Sequence, residues 1–235
     1  MISLTTVVHL IDSALFLLAS VFLASSAYRK KGSSVRLFAL YFAGLALASS
    51  FWATAGLVIN ISLEINQNLV LPASGLFYFL ALLSAFLGGY SLCRLLFSAI
   101  YPAFEDILLK IVLIWGYFVL FLVAVYLPHP TLSNKGLILW NMLPQVAAAL
   151  VVFVGLVSLV DILAFFLLAA RSSSLVLKFR GFFIGLGMAF YVGPILVAHF
   201  RLFIEWGAVL DYLTLFGALT MFCGIVFSQI FSLND

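Results

Sequence analysis

The sequence predicts an all-α fold, a polytopic membrane bundle of seven transmembrane helices, and three observations carry that prediction. Its 235 residues are 66% hydrophobic and only 8% charged, with a mean hydropathy of +1.29, against about 45–50% apolar and about 25% charged in ordinary soluble domains. Apolar runs of about the roughly 20 residues needed to cross a bilayer recur seven times, divided by polar or charged punctuation. The cations fall mostly in alternate connections, the pattern left by a chain that threads back and forth through a membrane.

The spans follow in order. The first covers about 4–28 and stops at Arg29-Lys30-Lys31-Gly32; lacking a basic segment before it or a small-residue cleavage site after it, it reads as a retained helix. The second covers about 36–60, before Glu64-Ile65-Asn66-Gln67-Asn68, and the third about 71–93. After Pro102, Glu105 and Asp106 the fourth covers about 107–127, closed by Pro128-His129-Pro130, where two prolines deny the backbone its helical donors. The fifth run, about 138–170, is too long for one upright crossing at about 1.5 Å per residue. It is expected to tilt, to kink at Pro144, or to begin as an interfacial stretch. The sixth covers about 181–199 and the seventh about 207–231. All connections are short, so residues 1–235 form one domain.

With the N-terminus outside, the inner connections hold Arg29, Lys30, Lys31, Arg36, Arg94, Lys110, Arg171, Lys178 and Arg180, and the outer ones only Lys135 and Arg201. That asymmetry predicts an outside N-terminus and a cytoplasmic C-terminus in a cell membrane. A net charge of +3 with no basic face excludes nucleic acid as a partner. Small residues cluster on three spans, among them Gly44, Gly88, Gly89, Gly181, Gly185 and Gly187. Lipid gives helices no hydrophobic reason to associate, so these positions are expected to mark close backbone contacts.

Intramembrane ionisable residues are expensive and mark sites by default. His9 and Asp12 are three apart on the first span and share a face. His199 ends the sixth span, and Asp211 lies about one turn into the seventh. In the deduced topology all four fall in the outer leaflet. If the helices close in sequential order, the first and seventh are neighbours, and His9, Asp12, His199 and Asp211 form one polar ligand pocket. Asp161, nearer the inner side, is expected to pair with Arg171, Lys178 or Arg180. The scattered histidines show no zinc-ligand spacing, so no metal is expected. Cys93 and Cys223 are too far apart in sequence to suggest a thiol redox pair, and there is no Gly-x-Ser-x-Gly elbow. No cofactor is expected, although His9 and His199, at matching depths, are the pair that would hold a haem b.

Pro144-Gln145 is similar to the Pro-Gln signature of transporters built from two three-helix repeats, but the first span has no counterpart and spans one to three align poorly with five to seven. Helix count and orientation resemble those of microbial rhodopsins, and Val209-Leu210-Asp211 with the small-residue-rich run after it is similar to their seventh helix. Leu215 stands where that resemblance would place the retinal lysine, and no span contains a lysine, so no retinal Schiff base can form. The segment from Arg36-Leu37-Phe38-Ala39-Leu40 through Phe51-Trp52-Ala53 resembles the seven-helix sensor modules found ahead of prokaryotic histidine kinases. With no retinal lysine, no repeat, no continuous intramembrane charge relay and no convincing metal set, elimination leaves a receptor-like or sensor-like protein, expected to be no enzyme, that binds a small ligand or partner helix in its outer half and acts through separate membrane or cytoplasmic partners. A small-solute or ion transporter, and a non-catalytic, haem-binding subunit of a larger complex, are the alternatives.

Overall fold

In hydrocarbon every backbone donor and acceptor must be satisfied within the chain, so long apolar segments become helices. The computed structural model describes residues 2–30, 33–62, 67–132, 138–199 and 207–232. Seven long helices dominate: α1 (Leu4–Lys30), α2 (Ser33–Ser62), α3 (Gln67–Ile100), α4 (Glu105–Val125), α5 (Pro144–Arg171), α6 (Leu175–His199) and α7 (Gly207–Ser232). All seven are long and apolar enough to cross a membrane, as a multi-pass membrane protein requires. Large apolar side chains such as Val21, Ile114 and Phe121 stand outward, more than half exposed, where lipid would meet them.

Each helix packs on the next in sequence, and α7 returns to α1, closing the bundle in the expected order. The direction of each helix is set by side-chain contacts. Ser20 Oγ donates to the Ala39 carbonyl and Ser13 Oγ to the Ala46 carbonyl, so α2 descends as α1 ascends. Thr5, near the start of α1, meets Asp211, near the start of α7, so those two run parallel. Gly88 of α3 meets Tyr41 of α2, Arg94 of α3 meets Glu105 of α4, Phe165 of α5 meets Phe38 of α2 and Gly181 of α6 meets Ala169 of α5, so the starts of α2, α4 and α6 share one end of the bundle with the finishes of α1, α3 and α5. Arg36, Arg94, Arg171, Lys178 and Arg180 are at that end, as are positions 29 and 30; Lys31, Lys135 and Arg201 lie outside the described residues.

Helix pairs approach at glycine, as the small-residue clusters predict, α2 with α3 and α6 with α7 among them. A Cβ on Gly44 would stand 2.6 Å from the Gly88 Cα, and one on Gly187 would stand 2.7 Å from the Met221 backbone nitrogen. Only a residue without a side chain permits such spacing.

The structure corrects the sequence reading at the fifth span. Pro144 does not kink a long helix; it starts one, occupying the first helical turn, where its missing N–H costs nothing. The residues before it form a hairpin, β1 (His129–Leu132) paired antiparallel with β2 (Ile138–Asn141). Trp140 of β2 packs on Tyr78 of α3 with ring centroids 4.5 Å apart, so the hairpin covers the end of the bundle where α3 begins. At the opposite end α3 runs on to Ile100, past the expected stop near Cys93. A single 3-10 turn, Pro102–Phe104, leads into α4. There Glu105 opens α4 and faces Arg94 of α3 at 4.0 Å, an acid at a helix N-terminus where the dipole favours it.

The interior has two main cores. One, built on α1, α2, α6 and α7, includes Phe16, Phe42, Ile184, Met188, Tyr191 and Met221, with Phe165 of α5. The other, built on α3, α4 and α5, includes Tyr78, Leu82, Phe86, Val119, Leu150 and Phe153. A cavity lies along the seam between them.

Candidate functional site

The first turns of α1 carry a group of polar residues. Ser3 and Thr6 hydroxyls hydrogen-bond at 2.7 Å, and Thr5 Oγ1 donates to Asp211 Oδ2 at 2.9 Å. Asp12 is fully buried, with His9 Nδ1 at 3.9 Å from its Oδ2, too far for a hydrogen bond. Neither carboxylate oxygen of Asp12, nor His9 Nδ1, has a hydrogen-bond partner among the described residues. Asp211 and Tyr191 both lie within electrostatic range of Asp12. Of the four expected pocket residues, His9 and Asp12 thus adjoin on α1, and Asp211 of α7 lies within electrostatic range of Asp12. His199 closes α6, and its side chain lies outside the described residues, as does any haem ligation it would share with His9.

A cavity of about 140 Å³ opens deeper in the bundle, bounded by α2, α3, α4, α5 and α6. Its wall joins the two cores, with Leu45, Met188 and Tyr191 from one and Leu82, Phe86 and Leu150 from the other. Tyr41, Trp52, Tyr90 and Phe153 add aromatic side chains, and Asp161 is the acidic residue in the lining. None of His9, Asp12 and Asp211 lines it. The two regions touch through shared walls. The His9 ring packs against Trp52 at 5.3 Å, and Tyr191 hydrogen-bonds Ser49 at 3.2 Å while lying near Asp12.

Asp161 departs from its expected role. It is 3% exposed, and the Cys93 thiol of α3 donates to its Oδ1 at 3.8 Å, in place of the inner cation expected from sequence. The rise of a helix gives the reason: Arg171 is ten residues further along α5, about 15 Å away, and is exposed at the end of the bundle. Tyr41 lies within electrostatic range of both Asp161 and Tyr191.

Sequence reasoning missed Tyr41, Trp52 and Tyr191 as site residues. A signal was present, because aromatic residues with a polar handle favour the membrane interfaces, whereas these three stand well inside their spans. Among the described residues no group of three or more His, Cys, Asp or Glu side chains is placed to hold a metal ion. The chain matches no protein-family model and no curated protein.

Proposed function

We propose that this protein is a receptor-like or sensor-like integral membrane protein that takes a small ligand into the bundle interior and acts through separate membrane or cytoplasmic partners. The cavity at the seam of the two cores carries this reading. Ligand sites in membrane bundles are mostly apolar clefts with a few convergent polar groups. This lining is dominated by aliphatic and aromatic side chains, with Asp161, Tyr41, Tyr191 and Ser158 among its polar members. The volume suits a molecule of about one ring, since an apolar cavity of about 150 Å³ holds benzene. An occupant would touch five helices and both cores, so it would favour whichever relative arrangement of the two cores fits it best, which is how binding becomes a signal. The group of His9, buried Asp12 and half-buried Asp211 adjoins the cavity through Trp52 and Tyr191 and would sense a shift in that wall.

The cation asymmetry supports an orientation with the N-terminus outside and the C-terminus cytoplasmic. In a background where Cys93 and Cys223 are replaced by serine, an impermeant maleimide applied to intact cells should label Lys135→Cys and spare Arg36→Cys; the reverse pattern overturns the orientation.

Ligand entry is tested with benzyl alcohol, a one-ring neutral probe, titrated against the purified chain while its tryptophan fluorescence is followed. Trp52 in the wall should give a saturable change. Gly89 also lines the cavity, and an added Cβ there meets nothing within 4 Å. Gly89→Leu should therefore fill the space without moving the backbone and abolish saturation. A response of equal size in Gly89→Leu refutes the reading.

A further inference from the structure

The binding reading leaves open what kind of molecule the cavity selects, and the surroundings of Asp161 bear on that directly. Asp161 is a carboxyl group 3% exposed in the wall of a mostly apolar cavity. A carboxylate removed from water requires a cation or strong hydrogen-bond donors. The chain supplies Asp161 with a thiol, Cys93 Sγ at 3.8 Å, and a thiol is a weak donor. No Lys, Arg or His lines the cavity. Arg94, the cation near the end of α3, engages another acid, Glu105. The titratable groups around Asp161 are Cys93 from α3, Tyr41 from α2 and Tyr191, which lines the same cavity from α6. None of these carries positive charge.

The remaining walls favour a cation as well. Tyr41, Trp52, Phe86, Tyr90, Phe153 and Tyr191 present rings to the cavity, and the face of an aromatic ring attracts an organic cation, Trp and Tyr most strongly. Resting on the reading that the cavity is a ligand site, we infer that its ligand is a small organic ammonium, a protonated primary or secondary amine on an apolar body of about one ring. Asp161 is the counter-ion, and the aromatic walls hold the body and the flanks of the ammonium. An anion would face Asp161 as a like charge. A neutral molecule of the same shape would fill the apolar volume and leave the carboxyl with its thiol alone. A metal ion fits poorly, because no cluster of three or more suitable ligands exists among the described residues.

Three probes of nearly equal size separate these cases: benzylamine, benzyl alcohol and benzoate, each titrated at neutral pH against the purified full-length chain in lipid nanodiscs with tryptophan fluorescence as the readout. Benzylamine should bind at least about tenfold more tightly than benzyl alcohol, the scale expected of a charge-assisted hydrogen bond in a dry site, and benzoate more weakly than either. Asp161→Asn should bring benzylamine down to the affinity of the alcohol. Equal affinities of the wild-type chain for benzylamine and benzyl alcohol overturn the inference, because Asp161 then holds a proton of its own and no ligand cation. So does a tenfold preference that survives in Asp161→Asn. The wild-type comparison decides the matter without any variant having to fold. If benzyl alcohol binds and benzylamine gains nothing, the ammonium assignment falls and the cavity reading stands; if none of the three saturates, both fall.

Discussion

Adding one methyl group at Gly187 is expected to force α6 and α7 apart. A Cβ there would lie 2.7 Å from the Met221 backbone nitrogen, 2.8 Å from the Gly217 carbonyl oxygen and 2.6 Å from Met221 Cγ. The Met221 side chain can turn aside, but the two backbone atoms cannot. The contact is reciprocal, since a Cβ on Gly217 would strike the Tyr191 backbone nitrogen and approach the Gly187 carbonyl oxygen to 2.7 Å. Restoring ordinary spacing requires the pair to open by roughly 0.6 Å, at a cost of about 1–3 kcal/mol for overpacking a close interface. Alanine also has a higher helix propensity than glycine, by about 1 kcal/mol, so the variant has to be read against a glycine with room around it. Gly89, also inside a helix, has nothing within 4 Å of an added Cβ and supplies that control. Thermal unfolding of Gly187→Ala and Gly89→Ala in one detergent, followed by far-ultraviolet circular dichroism, should place Gly187→Ala lower by about 2–4 °C for each kcal/mol. A Gly187→Ala protein as stable as Gly89→Ala would refute the close-approach reasoning.

Three further outcomes are expected. Thr5→Val, which removes the donor to Asp211, should cost about 1 kcal/mol. A double-mutant cycle with Asp211→Ala, which removes the acceptor, should recover most of that as coupling, and zero coupling counts against the bond. Phe16 is fully buried, with its ring 5.2 Å from Tyr191 and 5.9 Å from Phe42, so Phe16→Ala should lose about 3–5 kcal/mol in a denaturant titration; a loss under about 1 kcal/mol would mean that the site collapses around the gap. Arg94→Ala should change stability by no more than about 1 kcal/mol, because the Arg94–Glu105 pair is long and Arg94 is 58% exposed, and a larger loss would reveal a role beyond that pair.

Much of the fold is legible in the order of residues. Seven apolar runs became seven helices in the expected sequence, with ends shifted where polar residues such as Arg94 and Ser98 extended α3 beyond its apolar stretch. The small-residue clusters marked real contacts at Gly44, Gly88 and Gly187. The β-hairpin escaped notice because Ile138, Leu139 and Trp140 are as apolar as the helix that follows, and only the placement of Pro144 separates strand from helix. Within the site, the shared face of His9 and Asp12 followed from their spacing, and the meeting of α1 with α7 followed from sequential closure. The partnership of Asp161 with Cys93 did not, since 68 residues divide them and each looks unremarkable in its own span.

The sequence by itself determined which segments are apolar enough to enter a membrane and how deep each residue lies along its helix, because hydropathy and the rise per residue are local properties. Rotation about each helix axis was decided by the tertiary structure. These helices are apolar on nearly every side, so no stripe of polar residues announces an inward face. Only the fit of glycine against backbone, and of one aromatic ring against another, turns Asp161, Tyr41, Trp52 and Tyr191 toward a common space. That space exists because two separately packed cores meet without filling the volume between them.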